Sequence, residues 1–406
     1  MSLREDAKKI MDAAIRAADP YENTARILSG LRLPERVAVF SIGKAAIPMA
    51  QAAADVLGAR IAYGLAVTKY DHTGSFASPY FTVIEAAHPV SDDKSILAAE
   101  TAMAAAGKLS AGDAALVLLS GGGSALFEAS SVPPAAQRDV TEKLLARGAP
   151  IHALNAVRKR LSLVKGGKFA ACCYPAKVIT VALSDVLGDD KGVIASGVTV
   201  ADDAPDETLR EIAAKYLPDA PEEVLSALYR NDALKINDGG YEFAGNIHML
   251  CAAAVKEAER LGYSAHLLTE ALTGEAREQP EKLLRNLPEK GKVALICGGE
   301  TTVTLRGSGK GGRNQEMALS AAILLEGTEN VLFASVGSDG TDGPTDAAGG
   351  VADGGTAARM RAAGTDPAAA LKNNDAYHAL KAAGDLIVTG PTGTNVNDLT
   401  ILLADR

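Results

Sequence analysis

Glycines and cations stand close together between residues 298 and 322, where their types and spacing could bind an anion. Four glycines lie around Lys310 and just before Arg313: Gly307, Gly309, Gly311 and Gly312. Glycine lets backbone N–H groups approach an anion closely, and the first turn of a helix offers unpaired N–H donors. The segment is therefore typical of a phosphate-binding loop, and Glu300 near its start is a further candidate nucleotide contact. A flexible, solvated basic loop is the structural alternative.

Two strand-to-helix junctions in the first half of the chain favour the same chemistry. Lys44 stands where a helix is predicted to begin, and the helix dipole there is already positive, so an anion would stabilise this placement. Ser41 lies in the same junction and is a candidate substrate contact. The second junction follows an apolar strand and exposes N–H groups that suit nucleotide phosphates: Ser120, Gly121, Gly122, Gly123 and Ser124. A solvated lysine and a tight glycine turn are the alternatives.

Residues 155–169 form a basic segment in a chain that is acidic overall. Five cations fall within eleven residues that include no acid: Arg158, Lys159, Arg160, Lys165 and Lys168. Cations near a helix C-terminus are ordinarily stabilising, which accounts for Lys165 and Lys168. Stabilisation at a helix C-terminus accounts less well for residues 158–160. We therefore expect at least one of these three cations to face an anion. Asn155 shares a helical face with Lys159.

Carboxylates follow predicted strands in two loops, one in each half of the chain. Asp189 lies in the first loop, and Asp339 and Asp342 lie in the second. Carboxylates beside anion-binding loops are what Mg²⁺-nucleotide chemistry requires. Asp-Gly pairs are equally ordinary in turns. The second loop does not match an EF-hand, because it lacks the closing glutamate.

Strand and helix patterns alternate along the chain, which predicts doubly wound, largely parallel α/β sheets. Residues 293–297 and 301–305 suit strands, and residues 314–322 suit a helix. A segment rich in proline and aspartate interrupts the alternation between residues 200 and 237. We therefore predict two Rossmann-like domains, residues 1–236 and 237–406, with a cleft between them.

Composition excludes several classes of protein. The 406 residues are 47% apolar and carry a net charge of −9, which argues against a general nucleic-acid binder. Four cysteines without metal-ligand spacing suggest reduced core thiols. We find no signal-peptide pattern and no apolar run of membrane-spanning length. A cytoplasmic protein without a nucleic-acid or membrane partner is expected. A homodimer is one candidate assembly, and the oligomeric state stays open.

Three classes of function use these features. A kinase would use Lys44, Arg313, the glycine loops and a metal held by the aspartates. A dehydrogenase is the main rival, since residues 307–312 match G-x-G-x-x-G, although the ribose-binding acid expected after the next strand is not clearly placed. A non-catalytic nucleotide-binding module would need only the glycine loops.

The chain resembles the class II glycerate 2-kinases, whose C-terminal half is called MOFRL. The resemblance rests on long segments that occur in order: SIGKAA, LLSGGGSAL, NAVRKRLSLVKGGK, SDVLGDD, GGETTVTL, GKGGRNQE and SDGTDGPTDAAG. The match runs from about residue 41 to the end of the chain. Members of the family have often been labelled hydroxypyruvate reductases, so an NAD(P)H-dependent reductase is the alternative.

The resemblance implies an ATP- and Mg²⁺-dependent kinase that phosphorylates the 2-hydroxyl of D-glycerate. Its catalytic pair carries over to Lys44 and Arg313. With this chemistry, residues 120–124 would hold nucleotide phosphates together with residues 310–312 and Glu300. Arg158 or Lys159 would meet the glycerate carboxylate, with Ser41 and Asn155 nearby. The metal would be held by one or more aspartates: Asp189, Asp339 and Asp342.

Overall fold

The computed structural model describes residues 2–406, which divide into two compact units. The first unit comprises residues 20–184 and 189–244. The second comprises the described residues up to Asp19, residues 185–188 and residues 245–406. This division differs from the predicted ranges 1–236 and 237–406 at three places. Residues 237–244 complete the first unit, whereas the N-terminal segment and residues 185–188 join the second.

The helices and strands alternate along most of the chain. The strands are β1 (Val37–Ile42), β2 (Ile61–Lys69), β3 (Phe81–Ala86), β4 (Ala114–Leu119), β5 (Lys177–Leu183), β6 (Asn237–Gly245), β7 (Ser264–Leu272), β8 (Lys292–Gly299), β9 (Val331–Gly337), β10 (Gly349–Asp353), β11 (Leu386–Ile387) and β12 (Asp398–Asp405). The helices are α1 (Leu3–Ala17), α2 (Pro20–Gly30), α3 (Ala46–Leu57), α4 (Asp93–Ala106), α5 (Gly123–Leu126), α6 (Pro134–Ala146), α7 (Ile151–Leu161), α8 (Lys168–Cys172), α9 (Asp206–Tyr216), α10 (Glu222–Tyr229), α11 (Ile247–Arg260), α12 (Gln279–Leu284), α13 (Arg313–Leu324), α14 (Thr356–Ala362), α15 (Pro367–Lys372) and α16 (Ala376–Ala383). None of the described helices is long and apolar enough to cross a bilayer.

The sheet of the first unit has the strand order β3-β2-β1-β4-β5-β6. β1 pairs in parallel with both β2 and β4, and the pairs β2–β3 and β4–β5 are parallel too. β1 and β4 are buried at every residue, as expected for central strands covered on both faces. The chain moves outward from β1 to β3 and then returns to β4 beside β1. The switch point, where α/β sheets bind ligands, therefore lies between the carboxyl ends of β1 and β4.

The sheet of the second unit is mixed, with the order β11-β10-β9-β12-β8-β7. β12 is antiparallel to both β8 and β9, β10 is antiparallel to β9 and β11, and β7 is parallel to β8. β7, β8, β9 and β11 therefore share one direction. Helix α13 packs into the core beside this sheet, with Met317, Leu319 and Ala321 buried. The predicted fold class, two α/β domains, is confirmed. The four pairs of the first sheet given above are parallel, whereas β7–β8 is the one parallel pair among those described for the second sheet.

Helix α1 belongs to the second unit because its buried face and its charges have partners there. Ile10 and Ala14 are fully buried on this face. The hydroxyl of Tyr263 donates a 2.9 Å hydrogen bond to the buried Asp6, and Arg4 forms a 2.8 Å ion pair with Asp385. An amphipathic pattern predicts such a helix but carries no information about which sheet it will cover.

One local prediction needs correction. Residues 301–305 are predicted to form a strand, but the structure has only an isolated bridge between Thr302 and Glu275 there, because no neighbouring strand pairs with the segment. The sequence pattern does not indicate β6 and β10, since both are rich in glycine, which usually marks turns. In β6, a β-carbon on Gly239 would lie 2.5 Å from Cγ of Lys177, so glycine lets this strand approach β5.

Candidate active site

The junctions after β1 and β4 are joined to each other at the switch point of the first sheet. The N–H of Lys44 donates to the carbonyl of Gly121 (2.9 Å), and the N–H of Ala45 donates to Oγ of Ser120 (3.0 Å). Gly43 has a φ of 128°, and a β-carbon there would lie 2.2 Å from Oγ of Ser120. Glycine is therefore required for this close approach. The structure brings together the two loops that the sequence singled out separately.

Lys44 is half-buried and has no ion-pair partner within its unit. Its side chain passes beside Gly122, whose φ is 85°, and a β-carbon on Gly122 would lie 3.3 Å from Cγ of Lys44. The same β-carbon would lie 3.1 Å from Cδ2 of His88. Burial, with the charges of Lys44 and Lys69, lowers the pKa of His88 below its ordinary value. The region around Lys44, Gly122 and His88, called the His88 corner below, is therefore electropositive.

Only part of the predicted loop 120–124 is free to hold phosphates. The N–H of Gly123 donates to the carbonyl of Ser120 (3.3 Å), and the hydroxyl of Ser124 lies 2.8 Å from that of Ser196. The N–H groups of Gly121 and Gly122 make no hydrogen bond to the described chain. These two groups are the donors that the loop can offer. Ser41 is fully buried, and its hydroxyl donates to the carbonyl of Ala46, so its role is local.

Three of the five cations in residues 155–169 are held by the protein itself. Lys168 donates to carbonyls at the end of α7, including that of Arg160 at 2.8 Å, while Arg160 pairs with Asp202 (3.3 Å). Burial lowers the pKa of Lys168 to about 8. Lys165, which is fully buried, pairs with Glu128. Each of the three therefore has a structural role.

The remaining polar residues of this segment are less committed. Lys159 pairs with Asp202 only at 3.5 Å, and a β-carbon on Gly192 would lie 3.6 Å from its Nζ. Arg158 and Asn155 are half-buried and have no hydrogen-bond or ion-pair partner in the described unit. Arg158 and Asn155 therefore stay the freest of the predicted substrate contacts.

Breaking the buried pair of Lys165 should destabilise the first unit. Burial lowers the pKa of Lys165 to about 8, although the carboxylate of Glu128 opposes this shift. Replacing Lys165 with alanine leaves a buried carboxylate without its cation, which ordinarily costs about 3–5 kcal/mol. We expect a loss of this order in urea unfolding, and no comparable loss for the exposed control Lys108→Ala. Equal stability of the two variants would contradict this account.

Arg313, the first residue of α13, is fixed by two carboxylates of its own unit. Its Nε and Nη2 bind Asp398 at 2.5 and 2.9 Å, and Nη1 pairs with Glu300 at 3.0 Å. Asp398 is buried at the start of β12, whereas Glu300 is exposed. These carboxylates raise the pKa of Arg313 further above its ordinary value. The buried Asp398 therefore holds one edge of the guanidinium, and the solvent-exposed Glu300 contacts the other edge.

Asp342 caps α13 from inside the second unit. Its Oδ1 accepts the N–H of Asn314 (3.2 Å), and its Oδ2 accepts the N–H of Gln315 (2.8 Å). Burial raises its pKa to about 6, although these donors oppose the shift. The carboxylate already occupies the anion position at the helix N-terminus, where both of its oxygens are engaged. The geometry favours a capping role for Asp342 over metal binding.

This raised pKa predicts a pH dependence of stability. A carboxyl whose folded pKa exceeds its unfolded value stabilises the fold most below that unfolded value, and the contribution is lost as pH rises to the folded pKa. Relative to wild type, Asp342→Asn should therefore gain stability between pH ~4 and ~6, by at most about 3 kcal/mol. Thermal denaturation of both proteins across this range measures the difference. If the stability of Asp342→Asn relative to wild type falls or stays constant as pH rises from ~4 to ~6, the raised pKa of Asp342 would be contradicted.

The other predicted metal ligands lie in different units. In the second unit, Oδ1 of Asp339 accepts the N–H and the hydroxyl of Thr341 (2.9 and 3.1 Å). Asp189 lies in the first unit in a left-handed backbone conformation, with φ of 54°. Among residues 2–406, no group of three or more histidine, cysteine, aspartate or glutamate side chains is arranged to hold a metal ion.

The glycine-rich loop before α13 differs from its predicted role. The N–H groups of Arg306 and Gly307 donate to Oδ1 of Asn374, and that of Lys310 donates to Asp375 (2.9 Å). Ser308 and Gly309 donate to Asn373. Most N–H groups of the loop are therefore satisfied by residues 373–375 and cannot cradle a phosphate.

Close packing explains why this loop contains glycine. A β-carbon on Gly307 would lie 2.3 Å from Oδ1 of Asn373, and one on Gly312 would lie 2.3 Å from Cγ of Asp342. The ammonium of Lys310 lies 4.8 Å from the ring centre of Tyr377. The loop can therefore offer a ligand the N–H groups of Gly311 and Gly312, which have no partner in the described chain, and the side chain of Lys310.

Sequence reasoning missed the residues just before β12. Asn397 has a φ of 68°, and its Nδ2 donates to the carbonyl of Asp185 (3.0 Å) and to Glu300 (3.3 Å). Its Oδ1 is buried without a hydrogen-bond partner. The preceding segment is rich in glycine and asparagine, a composition that is typical of ordinary turns. The only available signal was that two polar residues, Asn397 and Asp398, directly precede an apolar strand.

Comparison with known proteins gives matches over the whole chain. Residues 6–229 match a domain of unknown function, DUF4147, and residues 293–398 match the MOFRL family. The chain is 44% identical to the D-glycerate 2-kinase of Thermotoga maritima, with 98% of each protein covered. It is 39% identical to a putative hydroxypyruvate reductase of Agrobacterium vitis, over 99% of this chain and 95% of that protein. A crystal structure of glycerate kinase from Thermotoga maritima superposes with a TM-score of 0.95, at 44% identity and 99% coverage of both chains.

Proposed function

Because this chain belongs to the class II glycerate 2-kinase family, with its DUF4147 and MOFRL regions, we propose that it phosphorylates D-glycerate at the 2-hydroxyl with ATP. The observation that carries the proposal is the 44% identity to a D-glycerate 2-kinase over nearly the full length of both proteins. The 2-hydroxyl oxygen forms the new bond to the γ-phosphorus, the bond from that phosphorus to the β-phosphate bridging oxygen breaks, and the hydroxyl proton is released. The products are 2-phosphoglycerate and ADP.

In this proposal, Lys44 neutralises charge on the transferring phosphoryl group. The lysine is half-buried without an ion-pair partner in its unit, so a bound phosphate would provide the missing counterion. The unpaired N–H groups of Gly121 and Gly122 lie in the adjoining loop at the switch point and would hold nucleotide phosphates. Phosphoryl transfer depends mostly on positioning and electrostatics, which these groups can provide.

Arg313 has the second charge-neutralising role. Its guanidinium is already oriented by the bidentate contact with Asp398, so little freedom is lost when it meets an anion. Glu300 is exposed and can be exchanged for an anionic oxygen of the ligand. Lys310 and the N–H groups of Gly311 and Gly312 are further candidate contacts with the nucleotide. Arg158 or Lys159 would meet the glycerate carboxylate, with Asn155 beside them.

The aspartates named above could hold a divalent cation together with substrate phosphates, but they form no three-residue metal cluster among residues 2–406. Mg²⁺ in kinases is commonly held by one or two carboxylates together with substrate phosphates, so a three-residue protein cluster is not required. Asp339 or Asp189 would take this role, since both oxygens of Asp342 are engaged in capping α13. When bound, the ion would neutralise charge on the phosphate oxygens.

The reductase alternative has less support from the geometry. The G-x-G-x-x-G match at residues 307–312 would need its N–H groups for a pyrophosphate, and residues 373–375 occupy most of them.

A homodimer and a cytoplasmic location stay predictions. The cytoplasmic location agrees with the four free cysteines of the described chain.

A parallel assay of the purified protein separates the two activities. One reaction contains D-glycerate, ATP and Mg²⁺, and the other contains hydroxypyruvate with NADH or NADPH. We expect ADP release that depends on glycerate, and no oxidation of the nicotinamide above a protein-free control. Nicotinamide oxidation without ADP release would overturn the proposed function in favour of the reductase.

A further inference from the structure

The His88 corner of the first unit has groups for which the proposed roles do not account. The chain turns at His88 shortly after β3, and the imidazole lies against the backbone of Gly122. A β-carbon on Gly122 would lie 3.1 Å from Cδ2 and 3.3 Å from Nε2 of the ring. The same position would be 3.3 Å from Cγ of Lys44. Gly122 therefore separates the imidazole of His88 from the side chain of Lys44 at the switch point.

The imidazole is not engaged by the protein. Neither ring nitrogen of His88 makes a hydrogen bond to the described chain, although the residue is half-buried. The other histidine close in sequence is different, because Nδ1 of His72 lies 3.0 Å from the carbonyl of Tyr70. A half-buried polar ring without partners is uncommon unless water or a ligand contacts it.

The charges around His88 are positive and lack counterions within the unit. Lys44, on the β1–α3 junction, and Lys69, at the end of β2, both lower the pKa of the imidazole, and neither forms an ion pair there. The nearby carboxylates are already used. Asp92 accepts hydrogen bonds from Tyr70 (2.6 Å) and from the N–H of Ser95 (3.0 Å).

Glu85, on β3, is also committed to the chain. Its Oε1 accepts hydrogen bonds from the N–H of His72 (3.2 Å) and from the hydroxyl of Thr73 (2.7 Å). The first unit therefore leaves two ammonium groups, one imidazole and the free N–H groups of residues 121 and 122 at one end of its sheet.

We propose that His88 and Lys69 complete an anion site with Lys44, in which the neutral imidazole donates one N–H to an oxygen of a bound phosphate or carboxylate. The chemistry that would be recognised is an anionic oxygen, supplied by the polyphosphate of the nucleotide or by glycerate. The imidazole gives direction to the contact, whereas the two lysines give charge. This inference rests on the proposed function for the identity of the anion and adds two residues to its site.

Proton NMR of the histidine ring protons tests the site without relying on turnover. The full-length protein is titrated with pH alone, and then in the presence of inorganic phosphate, ADP or D-glycerate. The His88 signal is assigned by its absence from His88→Gln, and the exposed His152 is the internal control. We expect the pKa of His88 to lie below its ordinary value in the free protein and to rise by about one unit when the anion binds.

Each arm of this titration decides something. A shift with phosphate or ADP identifies the nucleotide as the source of the anion, and a shift with glycerate alone identifies the acceptor. No response of His88 to any of the three ligands would overturn the inference. Because these arms do not require phosphoryl transfer, they are informative even if the proposed function fails. If the protein has glycerate 2-kinase activity but His88 does not respond, the anion site is overturned and the proposed function stands.

Kinetics provide the second readout. His88→Ala should raise the KM of one substrate about tenfold, the effect of losing one hydrogen bond to a charged group, with kcat changed much less than in Lys44→Ala. His88→Gln retains an N–H donor and should recover part of the loss. His152→Gln is the matched control, and thermal denaturation verifies folding. Unchanged KM values for both substrates in His88→Ala would contradict the proposal.

Discussion

Replacing Arg313 with alanine is expected to lower kcat for glycerate phosphorylation by about three orders of magnitude. Arginines that stabilise charge on a transferring phosphoryl group contribute about 10³–10⁵ in rate, and an oriented guanidinium does so without reorganising. The effect should appear mainly in kcat, because the charge develops in the transition state. A coupled assay for ADP at saturating ATP and glycerate measures it.

One further variant, with a matched control, tests whether the orientation of Arg313 matters. Arg313→Lys keeps the charge but loses the bidentate contact with Asp398, so only partial activity should return. Arg361→Ala is the matched control, since Arg361 is exposed and pairs with Glu326 on the surface. Activity of Arg313→Ala within a factor of about three of wild type would remove Arg313 from the mechanism.

Replacing Lys44 with alanine is the second change with a large expected effect. Removing a charge that stabilises the transferring group costs about 10²–10³ in kcat by comparison with oxyanion donors. The fold should tolerate the change, because the Lys44 side chain has no ion-pair partner within its unit and its backbone N–H, which bonds to Gly121, is retained. Lys94→Ala, at an exposed position on α4, is the control. The coupled ADP assay and thermal denaturation should separate lost activity from lost stability.

The result of Lys44→Ala is informative in either direction. Strongly reduced kcat with an unchanged melting temperature supports direct action on the phosphoryl group. Reduced kcat with an equal fall in melting temperature would instead indicate that Lys44 holds the junction together. Wild-type-like kcat would contradict the proposed role.

The sequence was sufficient for the fold class and for the family, and the reasons are physical. Apolar strands such as β1 and β4 alternate with amphipathic helices, and this periodicity is a local property. Lys44 could be singled out because a cation at a helix start is electrostatically unusual. The long motifs then carried the resemblance to the glycerate kinases, and the full-length matches confirm that family.

What the sequence did not predict depends on contacts between distant residues. The glycines before α13 indicated phosphate binding, yet Gly307 and Gly312 pack against Asn373 and Asp342. No local pattern reveals that residues 373–375 will occupy the N–H groups of this loop. Asp398, which orients Arg313, lies 85 residues farther along the chain and was missed for the same reason.

The compact units differ from the predicted domain ranges for a similar reason. The proline- and aspartate-rich segment ending near residue 237 indicated a linker, but β6 continues the first sheet beyond it. Helix α1 is amphipathic and could cover either sheet, and its partners Tyr263 and Asp385 are more than 200 residues away. Composition locates changes along the chain, whereas the choice of partner is made by tertiary packing.

The position of the transferred phosphate on glycerate decides whether the protein is a glycerate 2-kinase. The protein is incubated with D-glycerate, ATP and Mg²⁺, and enolase is then added without any phosphoglycerate mutase. We expect immediate formation of phosphoenolpyruvate in an amount equal to the ADP released, because enolase acts on 2-phosphoglycerate. ADP release with phosphoenolpyruvate appearing only after mutase is supplied would place the phosphate on the 3-hydroxyl and contradict phosphorylation at the 2-hydroxyl.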